Sequence, residues 1–171
     1  LLEPRIEPEI VVHFGTTPPR RADPAAILAS IDWIAHGFEI VESVFPGWKF
    51  QAADTVAACA LHAALLIGEP QSPARLGADL AGRLARFTVS LACNGAVVDR
   101  GRGSNVLGSP LEALAHLIAV LEAQPGAQPL AAGELVTTGT LTGAPLIRPG
   151  EVWSTAIDGL ALTGLSLKLA A

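Results

Sequence analysis

The sequence predicts an α+β fold, with a β-rich core of curled, mixed sheet and about three helices. Short alternating or β-branched stretches recur along the chain, and helix-start signals occur at three places between them. Half of the 171 residues are hydrophobic and 16% are charged, against about a quarter in ordinary domains. We therefore expect residues 1–171 to form a single domain with a sizeable core.

Three segments carry helix signals. The pair Asp23-Pro24 places an N-cap residue before a proline at the first helical position, and predicts a helix over residues 24–37, which ends on a glycine. The Ala- and Leu-rich segment 54–67 predicts a second helix. Ser109-Pro110-Leu111-Glu112 has the spacing of a capping box and predicts a third helix over residues 109–121.

The remaining periodic segments have strand character, because apolar residues alternate with polar ones or form short β-branched runs. Asn94-Gly95 and Asp158-Gly159 are dipeptides typical of two-residue hairpin turns. The predicted strands are residues 5–14, 38–43, 84–92, 96–98, 135–138, 152–157 and 160–169.

Composition and charge exclude several functional classes. The chain has 11 Lys and Arg against 16 Asp and Glu, with no basic stripe, so no nucleic-acid partner is expected. Its apolar runs fall short of the roughly 20 residues that span a bilayer, so no membrane partner is expected either. Cys59 and Cys93 have no metal-like spacing, and we interpret them as reduced core thiols of a cytoplasmic protein.

Three acidic residues are candidate metal ligands. Glu7 and Glu9 are two residues apart on a predicted strand, so their side chains point the same way and repel unless a cation lies between them. Glu39 stands in another apolar strand, where a lone carboxylate is costly to bury. Each could instead face solvent. Together they would form an oxygen-only set suited to Mg²⁺ or Mn²⁺ rather than Zn²⁺.

Other polar residues give weaker signals. Lys49 could bind a carboxylate or act in acid–base chemistry if desolvated, although a solvated surface lysine is the simpler interpretation. The four histidines are scattered along the chain, and we interpret all of them as structural. They are His13, His36, His62 and His116.

Several motifs, in order along nearly the whole chain, resemble the fumarylacetoacetate hydrolase superfamily. Within it they are most similar to the branch of 2-keto-4-pentenoate hydratases and 4-oxalocrotonate decarboxylases. The matching segments are Ile6-Glu7-Pro8-Glu9-Ile10, Phe38-Glu39-Ile40-Val41-Glu42-Ser43, Trp48-Lys49, Asp54-Thr55-Val56-Ala57, Asn94-Gly95, Val106-Leu107-Gly108-Ser109-Pro110-Leu111, Gly133-Glu134 and Thr138-Gly139-Thr140-Leu141-Thr142.

The resemblance implies roles for these residues. Glu7, Glu9 and Glu39 would be the metal ligands, and Lys49 would stand near the substrate. Thr138-Gly139-Thr140 would line the pocket for a 2-oxo acid. The resemblance also implies the superfamily's β-rich fold, assembly into homo-oligomers, and a leading segment before Leu1.

Three positions depart from the branch's pattern. Ala58 and Cys59 stand where an Asp-Asn pair is usual, and Val44 stands where Arg is usual. The resemblance implies a metal-dependent hydratase of 2-hydroxypenta-2,4-dienoate-type acids in the degradation of aromatic compounds. A decarboxylase of 4-oxalocrotonate type and a C–C hydrolase of a 2-oxo acid are the alternatives with the same chemistry. A non-catalytic partner subunit and a plain metal-dependent binder of small molecules are the alternatives of other classes.

Overall fold

A computed structural model of the chain describes residues 1–170. Its strands are β1 (Arg5–Phe14), β2 (Ile31–Val41), β3 (His62–Ile67), β4 (Thr88–Cys93), β5 (Ala96–Arg102), β6 (Leu135–Thr137), β7 (Val152–Asp158) and β8 (Ser166–Lys168). Its α-helices are α1 (Pro24–Ser30), α2 (Ala52–Ala57), α3 (Pro73–Leu76), α4 (Leu80–Arg86) and α5 (Pro110–Ala123). Short 3-10 turns cover Pro46–Trp48, Cys59–Leu61 and Gly103–Asn105.

The strands form two four-stranded sheets whose ladders are antiparallel. The first sheet has the order β3-β2-β1-β6, and the second has the order β5-β4-β7-β8. The long β1–β2 ladder joins most of both strands, with Arg5 opposite Val41 and His13 opposite Trp33. This ladder positions the candidate site, because all three acidic metal-ligand candidates lie on its two strands.

Two groups of buried side chains hold the sheets and helices together. One lies between the two sheets and joins Ile6 and Phe38 to Leu91 and Trp153. The other joins the ends of β1 and β2 to α1, α4 and α5. On β1 the alternation works as the sequence predicts, because Ile6, Ile10, Val12 and Phe14 enter these cores and leave the glutamates on the opposite face.

The predicted α+β class is confirmed, and so are several local signals, but the ladders among the described residues are antiparallel rather than mixed, and five short α-helices stand where about three were expected. Asn94 and Gly95 both have positive φ, 50° and 83°, as a tight turn between β4 and β5 requires. The Asp23 carboxylate caps α1 by accepting a hydrogen bond of 2.8 Å from the backbone N–H of Ala26. The Ser109 hydroxyl caps α5 by accepting from Leu111.

The helix predicted over residues 24–37 is wrong beyond Ser30. The chain leaves α1 there and continues directly as β2, whose residues pair with β1. Ile31 and Ile34 are β-branched, which favours the strand. The N-cap signal is therefore right about where the helix begins, whereas the ladder with β1 decides where it ends.

The helix predicted over residues 54–67 is also wrong in its second half. The helix begins at Ala52 and stops at Ala57, and residues 62–67 form β3 against β2 instead. Asp54 is the third helical residue, and its carboxylate accepts a hydrogen bond from the backbone N–H of Gln51. Ala and Leu favour a helix intrinsically, but pairing with the long β2 strand outweighs that preference.

Two predicted strands differ from the observed ones in their bounds. The first half of 84–92 belongs to α4, and β4 begins at Thr88. Of 160–169, only Ser166–Lys168 is a strand. It pairs with β7 across a longer connection than the two-residue turn predicted at Asp158-Gly159.

One stretch, Gly103–Ala123, is long and apolar enough to span a membrane by length and composition alone, with a mean hydropathy of 1.4. The structure breaks it before α5, at Gly108, which has a φ of 94°. The 14 residues of α5 extend about 21 Å, short of the ~30 Å hydrocarbon layer. Buried residues of α5 belong to the core, namely Leu111, Leu114 and Ile118.

The prediction of two core thiols is wrong for Cys59 and correct in part for Cys93, which packs against the core between the sheets. Both cysteines are free, but Cys59 is exposed in a turn and Cys93 is half-buried at the end of β4. Apolar neighbours in the sequence suggested burial, yet the helix expected around Cys59 does not form, so its side chain has no core to enter.

Candidate metal centre

Glu7, Glu9 and Glu39 are brought together by the register of the β1–β2 ladder. Glu7 lies directly opposite Glu39, and Glu9 lies opposite Gly37. The first two side chains are cross-strand neighbours on one face, and Glu9 is two residues along the same face. Gly37 is therefore a strand residue, not the helix end that the sequence predicted. A Cβ added there would lie 2.6 Å from Cγ2 of Val11.

The three carboxylates converge closely. One oxygen of each lies within 4.8 Å of one oxygen of the others. Glu9 is buried, with 1% of its surface exposed, while Glu7 and Glu39 are half-buried. Burial, together with the neighbouring carboxylates, raises the pKa of Glu9 to about 8. Burial and Glu39 also raise the pKa of Glu7, against the opposing influence of Arg5.

The Glu9 carboxylate is held by the backbone of a neighbouring loop. The N–H of Gly139 donates a hydrogen bond of 2.7 Å to Glu9 Oε2. Gly139 has a φ of 106°, a conformation that a residue with a Cβ rarely adopts. The preceding residue, Thr138, anchors this loop to β1, because both its N–H and its hydroxyl donate to the Ile10 carbonyl.

The Glu39 carboxylate has a different partner. Nδ1 of His62 lies 2.7 Å from Glu39 Oε1 and donates its proton there, because an ionised carboxylate can only accept. The imidazole is 45% exposed, whereas the Glu39 side chain is only 15% exposed. The more buried member of this pair is therefore the candidate ligand.

The carboxylates open into a groove of about 570 Å³. One wall is the exposed side of α5, and the other is β6 with the loop that follows it. Most of the lining beyond the glutamates is apolar or backbone. The lining residues are Glu7, Glu9, Glu39, Leu107, Ala113, Leu114, His116, Leu117, Val120, Val136, Thr137, Thr138 and Gly139.

The donor set fits a hard divalent cation. Carboxylate oxygens are the ligands that Mg²⁺ and Mn²⁺ prefer, and three on one side leave other positions for water and a ligand. The raised pKa of Glu9 shows that the negative charge is costly in this setting, and a cation would relieve that cost. The residues present therefore suit the metal site that the sequence predicts.

A family model described as fumarylacetoacetate (FAA) hydrolase C-terminal matches residues 2–164. The chain belongs to the fumarylacetoacetate hydrolase family. The resemblance inferred from the sequence motifs is thus confirmed. The antiparallel, β-rich architecture of this chain also matches that of a solved structure of the same type.

Named members of the family are similar to this chain over most of its length. It is 35% identical to a 2-hydroxyhexa-2,4-dienoate hydratase of Comamonas testosteroni over 170 residues, and 32% identical to a 4-oxalocrotonate decarboxylase of a Pseudomonas species over 149. These alignments cover 94% and 87% of this chain but only 58% and 55% of the relatives. The chain thus spans little more than half their length.

A solved structure has nearly the same backbone. It is the 4-oxalocrotonate decarboxylase from Pseudomonas putida G7 in complex with magnesium and adipate, with a TM-score of 0.86 at 27% identity. The superposition covers 99% of this chain and 61% of that one. Glu7, Glu9 and Glu39 of this chain therefore lie in a fold very similar to that of the relative, whose structure was solved in complex with a divalent cation.

Not all predicted site residues meet in the groove. Thr138 and Gly139 line it, whereas Thr140 follows them with its hydroxyl donating to the Thr142 carbonyl. Lys49 is exposed, just after the turn Pro46–Trp48, and is not among the lining residues. Its assignment to the substrate stays a prediction.

Sequence reasoning missed three residues near the carboxylates. His62 contacts Glu39, His116 lines the groove from α5, and Arg5 influences Glu7 from two residues earlier on the same strand face. Strand alternation could have found Arg5. No local signal marks the two histidines, because their positions depend on a turn and on helix packing. His36, by contrast, is buried and structural, as predicted.

Proposed function

We propose that this chain is the metal-binding part of a divalent-metal-dependent lyase, a hydratase acting on 2-hydroxypenta-2,4-dienoate-type 2-oxo acids. The observation that carries the proposal is the convergence of Glu7, Glu9 and Glu39 at one end of an otherwise apolar groove. Relatives named as hydratases and as decarboxylases of such acids support the substrate class.

Each feature of the site has a part in this proposal. The three carboxylates would hold Mg²⁺ or Mn²⁺, which supplies Lewis-acid stabilisation of negative charge developing on a 2-oxo acid. The Gly139 N–H keeps the Glu9 carboxylate turned toward the cluster. The apolar walls, including Leu117, Val120 and Val136, would enclose the hydrocarbon part of the substrate and limit the entry of water.

The lining favours a monoacid over a diacid. Among the described residues 1–170, the groove is lined by three carboxylates and one imidazole, and by neither Lys nor Arg. A second carboxylate at the far end of the substrate would face hydrocarbon and other carboxylates without a guanidinium or ammonium partner, which is unfavourable. This favours the hydratase over a decarboxylase of 4-oxalocrotonate-type diacids.

The decarboxylase is the second candidate, because the solved structure with a TM-score of 0.86 carries that name. A C–C hydrolase or a partner subunit without turnover would be distinguished by the same assay. Location in the cytoplasm and assembly into a homo-oligomer stay predictions, and we propose both by analogy with the metabolic enzymes of this family.

The metal site is tested first and separately. Mg²⁺ or Mn²⁺ is titrated into the metal-free chain by calorimetry, with Glu9→Gln as the variant and Glu69→Gln, an exposed acid away from the groove, as its control. We expect saturable binding to the unaltered chain and to Glu69→Gln, and its loss in Glu9→Gln. Absence of binding to the unaltered chain would overturn the metal centre.

The reaction is tested on the metal-loaded chain. 2-Hydroxypenta-2,4-dienoate and, separately, a 4-oxalocrotonate-type diacid are added, and the loss of dienol absorbance and the release of CO₂ are followed. We expect the monoacid to be consumed without CO₂, with the activity abolished by a chelator. Release of CO₂ from the diacid would assign the decarboxylase, and consumption of neither acid by a metal-loaded chain would overturn the lyase.

A further inference from the structure

We propose that His62 is a positioning residue of the metal centre, one that sets the orientation of Glu39 through a hydrogen bond. The proposal rests on the metal site proposed above. It concerns a residue outside the carboxylate set, which contacts that set through the 2.7 Å bond from Nδ1 to Glu39 Oε1.

A β-bulge turns His62 toward the carboxylates. In the β2–β3 ladder, Ile40 pairs with Ala64, but the next residue, Val41, pairs with His62, so that Ala63 is an extra residue on β3. In a regular ladder His62 would point to the opposite face, because side chains alternate. The extra residue reverses that alternation and places His62 on the face of Glu39.

The segment that leads into β3 is strained. Cys59, Ala60 and Leu61 have φ values of 52°, 56° and 66°, so three consecutive residues with a Cβ are in the left-handed region. Such a conformation is unfavourable for a residue with a Cβ, and the strain persists only where the surrounding structure enforces it. Here the Leu61 carbonyl accepts a hydrogen bond from the Glu42 N–H, which locks the turn immediately before His62.

The His62–Glu39 hydrogen bond would favour metal binding because it restricts the flexible Glu39 side chain. A free glutamate samples several rotamers, and binding an ion requires that most of that freedom be lost. A donor held on β3 fixes the plane of the Glu39 carboxylate before the ion arrives, and with it the direction of the second oxygen. Outer-shell partners of metal ligands have this effect generally.

A second pair in the same sheet provides a matched control. His13 Nδ1 lies 2.6 Å from Asp32 Oδ1, again between neighbouring strands. There the carboxylate is 48% exposed, against 15% for Glu39, and neither member lines the groove. The two pairs share their chemistry and differ in their proximity to the carboxylate cluster.

The test compares His62→Ala, which removes the donor, with His62→Asn, whose amide N–H stands near the position of Nδ1. His13→Ala and His13→Asn serve as controls. The readouts are the dissociation constant for Mn²⁺, measured by calorimetry, and the electron paramagnetic resonance line shape of the bound ion. Thermal melting of each metal-free variant verifies that it is folded.

We expect His62→Ala to weaken Mn²⁺ binding by about 10–100-fold, with an altered line shape, and His62→Asn to restore most of the affinity. Both His13 variants should bind like the unaltered chain. Unchanged affinity in His62→Ala would overturn the positioning role, as would equal losses in the Ala and Asn variants or in the His13 controls. Failure of the unaltered chain to bind Mn²⁺ would instead overturn the proposed metal centre. If His62→Ala does not fold, His62→Asn decides alone, since near-native affinity is then required.

Discussion

Glu9 combines full burial with two acidic neighbours, so its charge is the most costly of the three. The Gly139 N–H offsets part of that cost, yet the pKa still rises to about 8. Proton and metal ion therefore compete for the same oxygens. Burial and the Glu39 carboxylate raise the pKa of Glu7 in the same direction.

At Glu9, a pH that favours metal binding should therefore lower the stability of the metal-free protein. The folded pKa lies above the ordinary value of 4.5, so the folded, metal-free chain holds a proton that the unfolded chain releases. The contribution of Glu9 to the stability of the metal-free chain is therefore fully present below pH 4.5 and is lost as the pH rises toward about 8. We expect metal-free Glu9→Gln to be more stable than the unaltered chain at about pH 8, because its carboxamide stays neutral.

Mg²⁺ should reverse that order. It should raise the melting temperature of the unaltered chain, since a ligand that binds only the folded state stabilises it, and leave Glu9→Gln unchanged. Thermal melts from pH 4.5 to about 8, with Mg²⁺ or with a chelator, measure both effects. Equal stabilisation of the two proteins by Mg²⁺ would contradict the assignment of Glu9 as a ligand.

At the scale of elements, the α1 helix passes directly into strand β2 without a linker, and each element follows the local preference of its own residues. The Asp23 cap and Pro24 start a helix, and the Ile-rich segment that follows pairs with β1. The α1 helix has only seven residues, so its stability depends strongly on its cap and on the buried Ile27.

Asp23→Ala should therefore destabilise the protein by about 1 kcal/mol, because the Ala26 N–H loses its acceptor. Urea unfolding measures the difference, and Glu69→Ala is the control for the loss of one exposed acidic side chain. Metal affinity should be unaffected in both variants. An equal effect of the two substitutions on unfolding would show that charge, rather than capping, is responsible.

At the scale of the whole molecule, a buried hydrogen-bond chain joins the two sheets behind the carboxylates. His36 Nδ1 donates to the Glu9 carbonyl at 2.9 Å, and Thr155 on β7 donates its hydroxyl to His36 Nε2 at 2.8 Å. The Leu165 N–H in turn donates to Thr155 Oγ1. Burial lowers the pKa of His36 to about 4, which keeps the ring neutral and able to accept from Thr155.

His36 should then contribute to instability in acid. Its folded pKa lies below the ordinary 6.5, so the unfolded chain takes up a proton that the folded chain refuses. The contribution of His36 to stability is fully present above pH 6.5 and is lost as the pH falls toward about 4. In His36→Asn this decline should be shallower, whatever the absolute stability. Urea unfolding across this range measures the slope, and an unchanged slope would contradict a neutral, buried His36.

Much of this arrangement could be predicted from short segments. The caps at Asp23 and Ser109, the Asn94-Gly95 turn and the shared face of Glu7 and Glu9 depend on interactions between residues close in sequence. The two helix errors share one cause. Where a helix-prone segment such as 54–67 lies beside a strand with unpaired hydrogen-bonding groups, the ladder decides, and a ladder joins residues far apart in the chain.

The order of the amino acids was enough to establish the fold class, the family and the three acidic ligand candidates, because alternation, composition and ordered motifs are properties of the chain as written. How those candidates meet depends on the folded protein. The β1–β2 register sets Glu39 opposite Glu7, the loop at Gly139 aims its N–H at Glu9, and the bulge at Ala63 brings His62 to Glu39. Side-chain direction in a sheet reverses with a shift of one residue, so only the paired strands could define this site.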